Sequence, residues 1–176
     1  MRRTTLRGLI EPTAVYLRGK VASSDSVISP ITGQRAALIQ WTLFSCGPAE
    51  AFDQLLATGL FGSALLFKIP GGLVRIPTAD LEVYFAAANA IAQPVPPNLP
   101  APFRQLATTA QAHACAARGE LYYRELRLMS GRPVRLRATV SPIAGTGHYR
   151  VPADVQFTVC GDRETSVLSV DVPEMA

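Results

Sequence analysis

Histidine, cysteine and paired charge are scarce in this chain, and each scarcity removes a class of chemistry. Among 176 residues only His113 and His148 can supply an imidazole, so a nucleophile that needs an adjacent base has few partners. No GxSxG elbow, P-loop or GxGxxG turn occurs, and Gly71-Gly72 lies in a hairpin with no phosphate-binding helix after it. Cys46, Cys115 and Cys160 are odd in number and far apart, which argues against a disulfide framework and against the close spacing of a structural zinc site. These residues predict no catalytic set, no metal and no cofactor, in a reducing, cytoplasmic setting.

Long apolar runs are missing too. Leu55 to Phe67 is interrupted by Thr58, Gly59, Gly62 and Ser63 and falls short of the ~20 residues that a bilayer crossing needs, so no transmembrane segment is expected. Met1 to Arg7 is basic without the apolar stretch of a secretory signal, and residues 1–13 read as an N-terminal arm. Charged residues make up only 17% against 48% hydrophobic, a balance that buries a core and excludes disorder over most of the length.

Positive charge is mostly arginine. The net charge is +4, and fifteen of seventeen basic residues are arginine. Arg118, Arg124, Arg127, Arg132, Arg135, Arg137 and Arg150 gather in the second half. That cluster reads as a solvated strand face, with binding of nucleic acid or anionic lipid as the functional alternative.

Period-2 alternation dominates the chain and predicts a mainly β (α+β) fold, a compact barrel- or sandwich-like module of short antiparallel strands. Strands are expected over Ala14–Val21, Ala36–Phe44 and Leu81–Phe85, with a hairpin of Ala64–Ile69 and Leu73–Ile76 around Pro70-Gly71-Gly72. Two further hairpins are expected, Leu121–Leu128 with Val134–Val140 and Val155–Cys160 with Ser166–Val172. Val15–Val21 faintly echoes Val134–Val140, and each is followed by a Ser-Pro. Alanine-rich residues 103–118, ending before Gly119, predict one helix, and residues 49–57 a shorter one. Five prolines within residues 93–102 read as a stiff linker joining two halves, 14–92 and 103–173, of a single domain spanning 14–173.

Three blocks then carry a family resemblance. Gly19-Lys20-Val21 with Ser29-Pro30-Ile31-Thr32-Gly33 resembles the G-x-V and S-P-L-T-G motifs of the GIDE or MULAN family, whose shared region is the besides-a-membrane domain. Phe67 through Pro70-Gly71-Gly72 to Ile76, followed by Ala79 to Val83, and Glu125 through Gly131 to Val134 with Val140, are similar to that family's two later segments. The chain departs from the pattern at Ala36, where the family often has cysteine, and at Pro70, where it has an acidic residue. Relatives with ubiquitin-ligase activity owe it to a RING zinc domain, and the chain contains no RING, so no ligase activity is implied. The Arg-over-Lys, alanine-rich composition suggests a bacterial source, and the resemblance implies a non-catalytic β-rich module that acts beside a membrane or a partner protein.

The functional expectation is therefore a protein-interaction or scaffold module, soluble and cytoplasmic, placed at a membrane's periphery by a partner protein. Its candidate interaction loops contain Ser29, Pro30, Thr32, Gly33, Arg35, Arg127, Arg132, Arg135 and Arg137, because turns held on rigid strands display recognition groups. A small hydrolase using a cysteine or serine is the remaining alternative.

Overall fold

A computed structural model describes residues 13–22, 26–46, 54–70, 72–85, 92–142, 155–160 and 168–172. In chain order the elements are β1 (Thr13–Val21), β2 (Val27–Ile28), β3 (Arg35–Ala36), β4 (Leu38–Ser45), β5 (Gln54–Phe61), β6 (Ala64–Ile69), β7 (Gly72–Pro77), β8 (Leu81–Phe85) and β9 (Gln93–Pro94). Helices α1 (Ala101–Leu106) and α2 (Ala110–Ala117) follow, then β10 (Leu121–Leu128), β11 (Pro133–Pro142), β12 (Val155–Cys160) and β13 (Leu168–Val172).

The protein is mainly β, as the alternation predicts, but its strands form three sheets and not one closed barrel. The larger sheet has the order β1-β6-β7-β12-β11-β13-β8, with an additional β1–β11 pairing that folds the sheet back on itself. A second sheet runs β5-β4-β10-β9, and β2 pairs with β3. Pairing is antiparallel except for β12 with β7 and β13 with β8.

Local alternation located most strands but not their partners. The β6–β7 hairpin forms as expected. In contrast, β10 pairs with β4 and β9, and β11 pairs with β1, β12 and β13, so the expected hairpin of residues 121–128 with 134–140 does not exist. Nor do β12 and β13 pair with each other. The two segments that echo each other in sequence are cross-strand neighbours: Val15 faces Ala138, Leu17 faces Leu136 and Gly19 faces Val134.

Both helix expectations need correction. Residues 103–118 form two helices, because Ala107 leaves helical geometry (ψ 71°) and Thr109 starts a new helix by accepting a hydrogen bond from the Ala112 amide at 3.1 Å. Residues 54–57 of the expected short helix belong to β5, and residues 49–53 lie outside the described residues. Tertiary pairing overrides the helical spacing there: β5 lies along β4, with Gly59 opposite Trp41.

Two apolar clusters hold the sheets. The first gathers Leu17, Phe67, Val74, Ile76 and Leu136 from the inner face of the larger sheet, with Leu38 and Leu128. The second packs Leu43, Leu121 and Tyr123 against Phe103, Leu106, Ala112 and Ala116 of the helices. Because side chains alternate along a strand, β4 and β10 bury one face at Leu43 and Tyr123 and the opposite face at Leu38 and Leu128.

Residues 93–102 are built into the second cluster: Val95 donates to the Leu121 carbonyl at 2.8 Å, and Val95 and Leu99 are buried. Each of the two larger sheets also draws strands from both sides of this segment. The expected halves therefore interleave, and the segment is a strap anchored by Val95 and Leu99, with Pro94, Pro96 and Pro97 exposed.

Candidate functional site

The Ser29–Gly33 turn is pinned from inside. The Ser29 hydroxyl accepts hydrogen bonds from the amides of Ile31 (3.1 Å) and Thr32 (3.0 Å), which is how a serine stabilises a turn that starts at its own position. Gly33 closes the turn with φ +69° and donates to the Ser29 carbonyl at 3.0 Å. The hydroxyls then reach across to β10. Ser29 donates to Glu125 Oε1, and Thr32 donates to Oε2 at 2.8 Å. Tyr123 donates to Oε1 at 2.5 Å. Three hydroxyls thus converge on one carboxylate, and hydrogen bonds to an ionised acceptor are among the stronger kind.

Tyr123 and Glu125 are two residues apart on β10 and share a face of the sheet. Tyr123 is fully buried, with its ring edge-on to Phe103 at 5.5 Å. Burial, and secondarily the adjacent Glu125 carboxylate, push its phenol well above the ordinary tyrosine range. Glu125 sits just past the second core, where its charge stays within reach of both the turn and the buried phenol. The carboxylates show no pairing in sequence, and Glu125 is not among the expected site residues. Its only sequence signal is its position at the head of the third resemblance block.

The turn's outer side remains open. Pro30, Gly33 and Arg35 are exposed, and Arg127 Nη1 donates to Gln34 Oε1 at 3.0 Å. Ser29, Pro30, Thr32, Gly33, Arg35 and Arg127 therefore form one neighbourhood. Arg132 lies in the following turn, whose backbone bonds to Val21, while Arg135 and Arg137 belong to the larger sheet.

That sheet's outer face carries a second cluster. Along β1, Val15, Leu17 and Val21 point into the core, so Tyr16, Arg18 and Lys20 point outward. Register sets Tyr16 opposite Arg137, Arg18 opposite Arg135, and Lys20 opposite Lys68 of β6. All six are exposed, and the Arg137 guanidinium lies 5.8 Å from the centre of the Tyr16 ring. Arg18 with Arg135 and Lys20 with Lys68 are like charges directly opposed on neighbouring strands, which is destabilising. Among the described side chains no carboxylate forms an ion pair with any of these four. At the β13 side the register continues with Asp171 beside Arg135 and Ser169 beside Arg137.

The arginine cluster seen in sequence is thus divided. Arg118 pairs with Glu120 at 2.6 Å, Arg124 lies over the Phe44 ring at 5.6 Å, and Arg150 lies outside the described residues. Arg18, Lys20 and Lys68, which complete the basic face, come from the first half, and no local spacing marks them as a group, because their neighbourhood is made across strands.

Of the groups considered for nucleophilic chemistry, Cys115 is buried on α2 and accepts from Arg118 at 3.5 Å, whereas His113 on the same helix is exposed. Cys46 is exposed at the end of β4. His148 lies outside the described residues. Among the described residues, no cluster of His, Cys, Asp or Glu could hold a metal ion, and no helix is long and apolar enough to cross a membrane.

The fold and these two surfaces define a mainly β chain with a rigid latched turn and a basic sheet face. No family model, curated protein or solved structure matches it.

Proposed function

We propose that the protein is a non-catalytic binding module whose working surface is the outer face of the larger sheet and whose partner is an anionic macromolecule. The observation that carries this reading is two pairs of opposed like charges, Arg18 with Arg135 and Lys20 with Lys68, with one acid, Asp171, in register on the other side of Arg135. Such pairs weaken an isolated sheet, and the attraction of each cation to a bound polyanion offsets that repulsion. Retention of the whole protein on immobilised heparin tests it. Retention at low salt that falls as salt rises, and that is lost in the Arg18→Glu/Lys68→Glu variant, is expected. A control variant, Arg35→Glu/Arg127→Glu, changes net charge equally at the latched turn. If both variants elute together, the sheet face is not the working surface.

A second reading has its own observation. The Glu125 latch holds Pro30, Gly33 and Arg35 outward on a fixed turn, which suits recognition of a protein partner without loop-ordering entropy. The resemblance to besides-a-membrane domains points to the same kind of partner. A cytoplasmic position beside a membrane, reached through that partner, belongs to the same proposal. Its test is recovery of the partner by the wild type and by a chain whose residues 30–34 are replaced with alanine; equal recovery removes it. Cysteine or serine hydrolase chemistry gains no support from a buried Cys115 or from a Ser29 hydroxyl bound to a carboxylate.

A further inference from the structure

We infer that the anionic partner is single-stranded nucleic acid, with the cations of β11, β1 and β6 following its phosphates and Tyr16 providing the surface on which a base stacks. This rests on the basic-face reading and narrows it. The face has a direction: Arg137 beside Tyr16, then Arg135 beside Arg18, then Lys20 beside Lys68. Same-face positions on a strand are two residues apart, ~6.6–6.8 Å, and neighbouring strands ~4.7–4.9 Å. The cations therefore form a ribbon roughly 13 Å long and two to three strands wide, enough for a few nucleotides and at the small end of what sheet-based single-strand binders cover.

Tyr16 separates this partner from other polyanions. Its side chain is 67% exposed at one end of the ribbon, with a guanidinium over its ring. An aromatic ring among cations on an open sheet is how single-stranded nucleic acid is held without sequence preference, because every base offers a π-face. A duplex keeps its bases stacked inside. Its major groove admits a two-stranded ribbon, whereas β1 and β11 are flanked by β6 and β13. A membrane surface attracts cations too, but firm seating there gains from apolar side chains beside them that enter the headgroup region. The other large exposed apolar side chains among the described residues, Ile28, Leu55 and Met129, lie on β2, on β5 and in the turn after β10.

Fluorescence anisotropy with a labelled fifteen-residue oligothymidylate, and with its oligouridylate counterpart, tests the inference from about 50 to 200 mM salt. The expected slope of log affinity against log salt is about −0.7 for each phosphate neutralised, hence about −3 for four or five contacts. Tyr16→Ala is expected to weaken binding about tenfold without changing that slope, and Tyr16→Phe to restore it, since stacking needs the ring and not the hydroxyl. Arg18→Glu/Lys68→Glu is expected to lower both affinity and slope. Tyr16 is exposed, so its variants retain the wild-type melting temperature as a check on folding. Single-strand binding that is unaffected by Tyr16→Ala, or equal binding of a duplex or of phosphatidylserine vesicles, overturns the inference but leaves the basic face standing. Binding that is absent at low salt, or unchanged in the charge-reversal variant, overturns both.

Discussion

A Cβ on Gly19 would lie 2.1 Å from the carbonyl oxygen of Lys68, so β1 and β6 approach each other at a point that admits no side chain. Lys20 faces Lys68 one residue later, and the same contact that excludes a methyl group brings the two lysines of the basic face together.

Gly19→Ala is therefore expected to cost about 3 kcal/mol, the upper end for overpacking, since the obstacle is backbone and not a flexible side chain. Gly33→Ala is the comparison. Gly33 has φ +69° with nothing within 4 Å of its missing Cβ, so the loss there is the backbone strain alone, ~1–2 kcal/mol. Urea denaturation of the two variants decides; a Gly19 variant as stable as the Gly33 variant contradicts the close approach.

The Glu125 latch predicts coupling between sites far apart in sequence. Glu125→Ala leaves the Tyr123 hydroxyl buried without its acceptor and releases Ser29 and Thr32, at an expected cost of ~1–3 kcal/mol. Ser29→Ala combined with Glu125→Ala is expected to cost less than the sum of the single changes by at least ~0.5 kcal/mol. Additive losses would mean that the hydroxyl and the carboxylate do not stabilise one another.

Tyr123 ties stability to alkaline pH. Its folded-state pKa is raised, by burial first and by Glu125 second. The neutral phenol is thus retained in the folded chain above pH ~10, where the unfolded chain loses that proton. The unfolded state then binds fewer protons than the folded state, so stability is full below pH ~10 and falls by ~1.4 kcal/mol per unit above it. Tyr123→Phe removes this contribution. Denaturation curves at pH 8 and pH 11 are expected to show a larger loss in the wild type than in the variant, and equal losses would place the phenol in contact with solvent.

How much of this was legible in sequence follows from the range over which each feature is encoded. Val15, Leu17 and Val21 alternate with Tyr16, Arg18 and Lys20, and period alone fixes both the strand and its exposed residues. The helix break is also local, yet alanine-rich residues 103–118 masked it, since a Thr109 cap reads as an ordinary polar position until the chain is seen to turn there. Partner choice is different. β10 and β11 are consecutive and separated by a tight turn, but β10 sets Tyr123 beside Leu43 and β11 sets Leu136 beside Leu17, so burial in two separate cores outweighs the hairpin that proximity favours. Glu125 was hidden for a related reason: its ligands arrive from the turn near residue 29 and from its own strand, and neither spacing resembles a motif.

The basic face carries a further consequence that stability alone can register. In Arg18→Glu the like-charged pair with Arg135 becomes an opposite-charged one. An exposed pair of that kind contributes ~0.2–1 kcal/mol, and the removed repulsion a similar amount. At low salt, and with no polyanion present, the variant is therefore expected to melt about 1–8 °C higher than the wild type, given ~2–4 °C per kcal/mol for a chain of this size. The difference should shrink as salt approaches 1 M, where screening acts within ~3 Å. Added heparin is expected to invert the order, raising the wild-type melting temperature above that of the variant, because a ligand that binds only the folded state stabilises it in proportion to its affinity. A wild type already more stable at low salt would show that Arg18 and Arg135 do not repel, and that the face is not held in tension for an anion.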